Sequence, residues 1–418
     1  MISESLIDDI CEINIGNSYR SDHSPVILTL KINEFIKGRG LWKFNNSLLQ
    51  DPEYVKLIKQ QIANTVEQYK MPVHRGVALH SIDNLDIDFS INDQLLLETL
   101  LLEIRGKTIS YSTFIKRERT KQEIQLTEEI QNLENEVSTE DTLDEIEAKK
   151  CQLRILRQNK VKGQYVRSRT QWIEEGERPT IFFCNLETQN FVNKTIKKLV
   201  TDENTVVENQ KEILKQSKIF YEKLYKRQGC LKKVNLSKEL PSLTSKLNDI
   251  EKDSLEGNIS FAELTQALKR MKNNKSPGSD GFTAEFFKVF WIDIGKFVLR
   301  LINYSYQIGE MSVTQRQGVI TCIPKEGKSK QFLKNWRTIT LLNSTYKLAS
   351  SCIAERIKSV LNRIIDSDQT GFIPGRFIGE NCKLIYDILQ FTEENDIPGI
   401  LLLIDFEKAF DYIMGLSF

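Results

Sequence analysis

The sequence has few of the features that would place it in a membrane or outside the cell. Its seven cysteines are scattered and no two have Cys-x-x-Cys spacing, so neither a zinc site nor a disulfide framework is indicated. No apolar run approaches the ~20 residues of a membrane span. Asp8, Asp9 and Glu12 interrupt the N-terminal region that a signal peptide would need to be apolar. We therefore expect reduced thiols, an intracellular location and no membrane partner.

An excess of charge of one sign is also missing, because 58 basic residues stand against 57 acidic ones. This balance gives no general argument for nucleic-acid binding, so any basic surface must be local. No basic run has the form of a nuclear localisation signal. The apolar content of 40% and aromatic content of 9% are typical of a chain that folds. Its length suits about two to four domains.

Proline is absent between Pro72 and Pro179, and residues 93–160 are predicted to form long helices. Ser138–Thr142 offers a break between them. Apolar residues recur at helical spacing on both sides of that break, at Leu126, Ile130, Leu133 and Val137 and then at Leu143, Ile146, Leu153 and Leu156. An antiparallel helical hairpin with solvated charged faces is the expected form. A coiled-coil dimer through the same stripe is the alternative.

Residues 161–200 interleave basic side chains such as Arg167 with aromatic ones such as Trp172. This pattern is typical of segments that grip phosphates and stack bases. A helix end with a few core aromatics explains it equally well. A short hairpin at 197–207 and a helix at 209–226 are predicted next.

An unbroken apolar run, Ile400–Ile404, is followed at once by Asp405. A short run of this kind predicts a strand that is buried on both faces. A carboxylate at the end of such a strand is costly unless it meets a cation, a metal or a set of donors, so Asp405 is a candidate metal ligand. The alternative is an Asp that caps a helix with Phe406 and Phe410 on its buried side.

A basic β-hairpin is predicted earlier in the chain, from Gly318–Ile323 and the β-rich run 335–342. Between Thr321 and Arg376 ten basic residues stand against four acidic ones, so the neutral chain contains a basic segment. Lys325 and Arg337 fall where the hairpin would present them to phosphate groups. An ordinary solvated face is the alternative.

Two loops rich in turn residues lie before and after this hairpin. Asn274–Phe287 contains Pro-Gly and Asp-Gly pairs and follows a helix that Ser260 and Glu263 begin with a capping box. Gln369–Arg376 precedes a helix predicted over Asn381–Thr392. By composition alone each is a loop and nothing more.

In this order, the stretches resemble the reverse transcriptases of non-LTR retrotransposons, the long interspersed elements. Each matches a segment of that family: its Lys-x-Pro-Gly-x-Asp-Gly loop at Lys275–Gly281, its motifs 1 and 2 at Ile323–Lys325 and Asn335–Arg337, its Gln-x-Gly-Phe-x-x-Gly-Arg loop at Gln369–Arg376, and its motif A at Gly399–Asp411. One departure is Thr338, where the family usually has proline.

The resemblance implies DNA synthesis on an RNA template from a DNA primer or target, with deoxynucleotides as substrates and Mg²⁺ as cofactor. It implies that Asp405 and the backbone carbonyl of Phe406 bind magnesium and that Phe410 excludes a ribose 2′-hydroxyl. Lys325 and Arg337 would bind the triphosphate. Lys275 would contact nucleic acid, and Gln369 and Arg376 would position the nucleic acid or brace the palm. The family's mechanism also implies action in the nucleus.

A second resemblance concerns the N-terminus. The alternation over Val26–Ile32 predicts a strand with one buried face. Asp22 and His23 precede it, and a neighbouring carboxylate can hold the protonation of a histidine, although a surface-loop histidine is the alternative. Ser21–Pro25 is similar to the last motif of the endonuclease/exonuclease/phosphatase fold, which implies that His23 is catalytic and Asp22 its acidic neighbour. The rest of that domain is absent, so we expect a remnant without cleavage activity.

The expected architecture is a helix-rich α/β (α+β) chain, in which a helical linker precedes partial reverse transcriptase fingers and palm. Its expected segments are an endonuclease remnant at 1–32, a connector at 33–92, the linker at 93–230, a loop at 231–258, and the fingers with the first palm strand at 259–418. The connector segment Trp42–Asn45 resembles one that follows the endonuclease in these elements, and it is assigned no chemistry.

The later aspartates of the family palm, in a Tyr/Phe-Ala-Asp-Asp strand, do not follow Asp405 in this sequence. One carboxylate is too few for two metal ions, so the chain alone is expected not to polymerise. Two other functions stay open at this point, a non-catalytic RNA-binding protein and an interaction protein built on the helical hairpin. The sequence leaves the oligomeric state open.

Overall fold

The computed structural model describes residues 10–15, 26–30, 40–71, 88–135, 140–168, 195–201, 203–226 and 246–405. The chain divides into two compact units. The first unit comprises Met1–Trp42, Pro52–Gln61 and Leu101–Thr195, and the second comprises Lys43–Asp51, Ile62–Leu100 and Ile196–Phe418. None of the helices in the described part of the chain is both long enough and apolar enough to cross a membrane.

Helices dominate the described residues, which confirms the predicted helix-rich α/β class. In chain order they are α1 Pro52–Tyr69, α2 Asp93–Asn135, α3 Glu140–Ser168, α4 Gln210–Tyr225, α5 Asp249–Leu255, α6 Phe261–Arg270, α7 Ala284–Val289, α8 Trp291–Ile308, α9 Ser344–Ile364 and α10 Gly379–Glu394. The strands form three antiparallel pairs, β1 Ile10–Ile15 with β2 Val26–Leu30, β3 Leu199–Val200 with β4 Val206–Val207, and β5 Gly318–Pro324 with β6 Trp336–Leu342.

In the first unit, α2 and α3 pack side by side as the periodicity predicts. Ile130 and Leu153 are fully buried between them. Three ion pairs join the helices in antiparallel order, namely Lys149–Glu129 at 2.9 Å, Lys150–Glu134 at 2.6 Å and Arg157–Glu123 at 3.0 Å. The predicted pair of long helices is therefore confirmed.

The start of α1 packs on the middle of α2, also in the first unit. The Tyr54 hydroxyl lies 2.7 Å from Thr108 Oγ1, and both side chains are buried. Burial raises the pKa of Tyr54 to about 12, and the Thr108 hydrogen bond opposes this only in part. The Arg105 guanidinium lies 5.0 Å from the centre of the Trp42 ring.

The strand predicted at the N-terminus is present over Val26–Leu30, but Val26 on its predicted buried face is exposed. Val26 pairs with Ile15, and these side chains are 70% and 75% exposed. A two-stranded hairpin buries a face only when another layer covers it. Asp22 and His23 lie outside the described residues, so their role stays a prediction.

The core of the second unit is aromatic. Phe282, Phe286, Phe287 and Phe290 are 0–1% exposed, and their rings contact one another in tilted and edge-on pairs. The predicted capping box starts α6, and Thr283 caps the start of α7, which fixes both helices around this core.

Candidate nucleotide and nucleic-acid interface

The β5–β6 hairpin positions the two predicted triphosphate ligands. Ile323 lies opposite Arg337 in the ladder, and the Lys325 N–H donates to the Asn335 carbonyl at 2.9 Å, two residues further along. Because side chains alternate along a strand, Ile323, Lys325 and Arg337 lie on one face of the hairpin. We call this the front face.

The back face of the hairpin packs against α4. The Tyr221 hydroxyl lies 3.4 Å from Cys322 Sγ, and the Tyr225 hydroxyl lies 3.3 Å from Thr338 Oγ1. Trp336 on the same face is 5% exposed, and its indole N–H donates to the Lys330 carbonyl at 2.9 Å. These contacts leave the front face as the one that is open to solvent.

Arg337 is exposed on the front face. Within the described part of the chain, no carboxylate forms an ion pair with it. The Lys325 ammonium donates to the Lys334 carbonyl at 3.1 Å, which holds this side chain near the turn. A planar guanidinium with free donors is suited to bidentate contact with phosphate oxygens.

The Pro-Gly-x-Asp-Gly loop rests on the first residues of α9. Asn343 is 1% exposed, and its Oδ1 accepts hydrogen bonds from the Asp280 N–H at 3.2 Å and from the Ser279 hydroxyl at 3.3 Å. Its Nδ2 donates to the Thr314 carbonyl at 2.9 Å. One buried amide therefore joins the loop, the helix start and the approach to β5.

Lys275 begins this loop and is exposed. Behind it, the Lys347 ammonium lies 3.5 Å from the Ser276 carbonyl. Burial lowers the pKa of Lys347, and the charge of Asp280 acts against that shift. The loop thus presents Lys275 to solvent while its own backbone is held from behind.

The connector contributes a brace that the sequence analysis did not anticipate. Phe44 is 2% exposed and lies 5.2 Å from Phe286, ring centre to ring centre. Its N–H donates to the Gly281 carbonyl at 2.9 Å, and Asn46 Oδ1 accepts from the Thr283 hydroxyl at 2.7 Å. In the sequence, two glycines stand just before the aromatic residues at 42 and 44, but this local signal gives no indication of which segment Phe44 packs against.

Arg356 is a second brace that the sequence analysis missed. Its Nε and Nη2 donate to the two Glu263 carboxylate oxygens at 2.6 and 3.0 Å. Its other donors reach the main-chain carbonyls of residues 255–258. The Arg356 hydrogen bond is the main reason that the pKa of Glu263 falls to about 2.

Arg376 binds main chain in this structure. Its guanidinium donates to the carbonyls of Asn362, Ile365 and Gln369, the last at 2.8 Å, and to that of Asp366. These carbonyls lie at and just beyond the end of α9, so Arg376 caps that helix and closes the following loop. The expectation that it braces the protein is compatible with this geometry, and its contact with nucleic acid stays a prediction.

The strand predicted over Ile400–Ile404 is not formed, and this prediction is wrong for the described residues. The five side chains are 52–96% exposed and pair with no described strand. An apolar run becomes a buried strand only where neighbouring strands and covering layers receive it. Asp405 at its end is exposed too, while Phe406 and Phe410 lie outside the described residues.

A metal site is not assembled in the described part of the chain, where no three His, Cys, Asp or Glu side chains converge. The structure thus brings Lys325 and Arg337 together on one face, whereas Asp405 is part of no such group among the described residues.

Comparison of the sequence with known proteins confirms the predicted resemblance. The relatives of this chain are transposon proteins, among them RNA-directed DNA polymerases, as the resemblance to non-LTR retrotransposons predicts. No protein-family model matches the chain.

One relative is an uncharacterized 149 kDa protein of transposon TX1 from Xenopus laevis, which is 31% identical over 396 residues. The match covers 94% of this chain and 29% of the relative. Two relatives from Drosophila melanogaster are described as probable RNA-directed DNA polymerases, from transposon BS and from transposon X-element. Each is 27% identical to this chain. The match to the transposon BS protein covers 37% of this chain, the match to the X-element protein covers 36%, and each covers 17% of the relative. The chain therefore spans less than a third of the length of each relative.

Proposed function

We propose that this chain is part of an RNA-directed DNA polymerase of a non-LTR retrotransposon, and that its β5–β6 hairpin holds the triphosphate of the incoming deoxynucleotide. The main support is the guanidinium of Arg337, which is exposed on the front face of the hairpin and forms no ion pair with any carboxylate that the structure describes. Lys325 supplies a second positive charge on that face. A face that is merely solvated does not need the packing of Trp336 and the α4 tyrosines behind it. This packing fixes the position of the two charges.

The template strand is proposed to pass along the loop that Lys275 begins. The buried Asn343 amide and the Phe44 brace hold this loop, so its backbone is preorganised for contact. Gln369 and Arg376 would act from the neighbouring loop, where Gln369 Nε2 donates to the Gly371 carbonyl at 3.0 Å. Arg376 would act mainly by fixing that loop.

Polymerases of this class use divalent metal ions in general, and we propose Mg²⁺ with Asp405 and the Phe406 carbonyl as ligands. Phe410 would exclude a ribose 2′-hydroxyl. The described residues do not by themselves fit a pair of metal ions, because no three of their His, Cys, Asp or Glu side chains converge. We expect the isolated chain not to extend a primer. Action in the nucleus rests on the family resemblance alone.

The test is equilibrium binding of a labelled deoxynucleoside triphosphate to the full chain and to its Arg337→Gln variant. Loss of a charge-assisted phosphate contact should weaken binding about tenfold or more. Arg316→Gln is the matched control, since Arg316 is also exposed but pairs with Glu310 at 2.6 Å. Equal binding by wild type and Arg337→Gln, or an equal loss in the control, would refute the proposal.

A non-catalytic RNA-binding protein is the second candidate. The exposed lysines of the hairpin turn, Lys328, Lys330 and Lys334, favour it. This function predicts RNA binding that weakens with salt and needs no triphosphate. Absence of RNA binding at low salt would remove this candidate, whereas triphosphate binding that depends on Arg337 would favour the first.

A further inference from the structure

The α2–α3 hairpin has charges that its own packing does not use. Residues 105–121 of α2 contain six basic residues and one acidic residue. Residues 93–104 and 122–135 contain only acidic charges, three and four of them. The middle of α2 is thus a positive block between two negative ones.

The basic side chains of this block are open to solvent. Five of them are exposed and form no ion pair with any described residue, not even with Glu118 inside the block: Lys107, Lys116, Arg117, Arg119 and Lys121. We call these five residues the basic block. Thr108 is the only buried residue in the stretch 105–121, so the basic block lies largely away from the packed face.

The ion pairs that the structure describes between α3 and α2 involve only the part of α2 that follows the basic block. Beyond the block, Glu123, Glu129 and Glu134 of α2 are each paired by a basic residue of α3. Cross-helix neutralisation is thus available to this hairpin, but it stops at Glu123. The part of α3 that continues past Arg157 contains no acidic residue and adds Lys160, Lys162 and Arg167 to the sequence of the helix.

Like charges three or four residues apart on one helix repel each other, as Lys116 does with Arg119 and Arg117 with Lys121, so this arrangement costs stability in the free protein. A polyanion that binds along the helix relieves that cost and releases its own counterions. The block from Lys107 to Lys121 spans about 21 Å of helix, about six base-pair steps of a duplex. This length suits a regular line of phosphates better than a single acidic residue or a folded acidic loop.

We propose that the basic block of α2 is a second nucleic-acid surface, separate from the β5–β6 hairpin, which binds the phosphate backbone of a duplex. Contacts to phosphate fix position and carry no sequence information, so the surface is expected to bind without base specificity. Its partner is defined by its chemistry, a double-stranded phosphodiester. The proposal goes beyond the proposed function and does not depend on it.

The experiment uses the full chain and a triple variant, Lys116→Gln, Arg117→Gln and Lys121→Gln. Binding to duplexes of about 20 base pairs is measured by fluorescence anisotropy between about 50 and 200 mM salt, with DNA, RNA and hybrid duplexes of one sequence as separate arms. We expect the triple variant to bind at least one duplex about tenfold more weakly. The slope of log K against log salt should fall by about two to three.

A control variant removes the same charge from another helix. Lys215→Gln, Lys218→Gln and Lys223→Gln replace three exposed lysines of α4. An equal loss in this variant would mean that net charge alone matters, and it would overturn the proposal. Unchanged affinity and salt slope in the α2 variant would also overturn it. Anionic vesicles and polyglutamate are measured as further polyanions, and a loss of binding to these alone, with duplex binding unchanged, would overturn the proposal as well. Deoxynucleotide binding that survives in the α2 variant separates this surface from the Arg337 site.

Discussion

Gly278 lies directly against the backbone that enters α9, with Asn343 as its nearest neighbour. A Cβ atom at position 278 would meet the Leu342 carbonyl carbon at 2.6 Å and would collide with the Asn343 side chain. The same Asn343 side chain accepts two hydrogen bonds from the loop. The loop and the backbone that enters α9 are therefore so close that only glycine fits at position 278, and this short distance lets Asn343 reach the loop.

Gly278→Ala should destabilise the protein and loosen the loop. The methyl group has no room, and overpacking of this kind costs about 1–3 kcal/mol of the free energy of unfolding. Urea unfolding measures the loss. Gly106→Ala is the control, because nothing lies within 4 Å of a Cβ there and the position is helical. It should be neutral or stabilise by up to about 1 kcal/mol. Equal stability of Gly278→Ala and wild type would show that the loop does not lie on Asn343.

Phe44→Ala should cost about 3–4 kcal/mol of the free energy of unfolding, since a fully buried ring leaves a cavity beside Phe286. Leu41→Ala, three residues earlier, removes a side chain that is 58% exposed and should cost less than about 0.5 kcal/mol. Both are measured by urea unfolding. If the two variants lose the same free energy, the connector does not brace the loop.

The predictable parts of this fold are those that depend on neighbours in the sequence. The capping box of Ser260 and Glu263 and the strands of the β5–β6 hairpin follow from patterns a few residues long, and the structure confirms them. The contacts of Phe44 and Arg356 join residues that are about a hundred or more positions apart, with no local signature.

In the candidate site, too, only the features that depend on local sequence were predictable. Lys325 and Arg337 share a face because a two-stranded ladder follows from local sequence. The burial predicted for Ile400–Ile404 failed, because an apolar run reports the preference of its side chains for burial and says nothing about whether a partner is present. Asp405 was assigned by resemblance, and no described contact tests that role.

The Glu263–Arg356 pair should make stability depend on acid pH. The pKa of Glu263 is about 2 in the folded chain against 4.5 as its ordinary value, so its ionised form stabilises the fold above about pH 4.5. That stability is lost as the pH falls towards 2. About a third of the Glu263 side chain is exposed, and solvent screens the pair. We therefore expect a loss of about 1 kcal/mol from this group between pH 6 and pH 3.

Glu263→Gln is the matching variant, since glutamine can still complete the capping box but does not titrate. Its unfolding free energy should be lower than that of wild type at pH 6, and the difference should shrink towards pH 3. Parallel pH profiles of the two proteins would mean that the pair does not contribute in this way.

The exposed run Ile400–Ile404 gives the last prediction. Leu402 is 74% exposed, so Leu402→Ser should change the free energy of unfolding by less than about 0.5 kcal/mol. Ile294→Ala, at a fully buried position of α8, should cost about 2–5 kcal/mol in the same urea titration. A loss of more than about 2 kcal/mol in Leu402→Ser would show that this run is buried in solution, as the apolar pattern alone predicts. Amide hydrogen exchange gives an independent reading, because a run without strand partners should exchange quickly, whereas the paired amides of β5 and β6 should be protected.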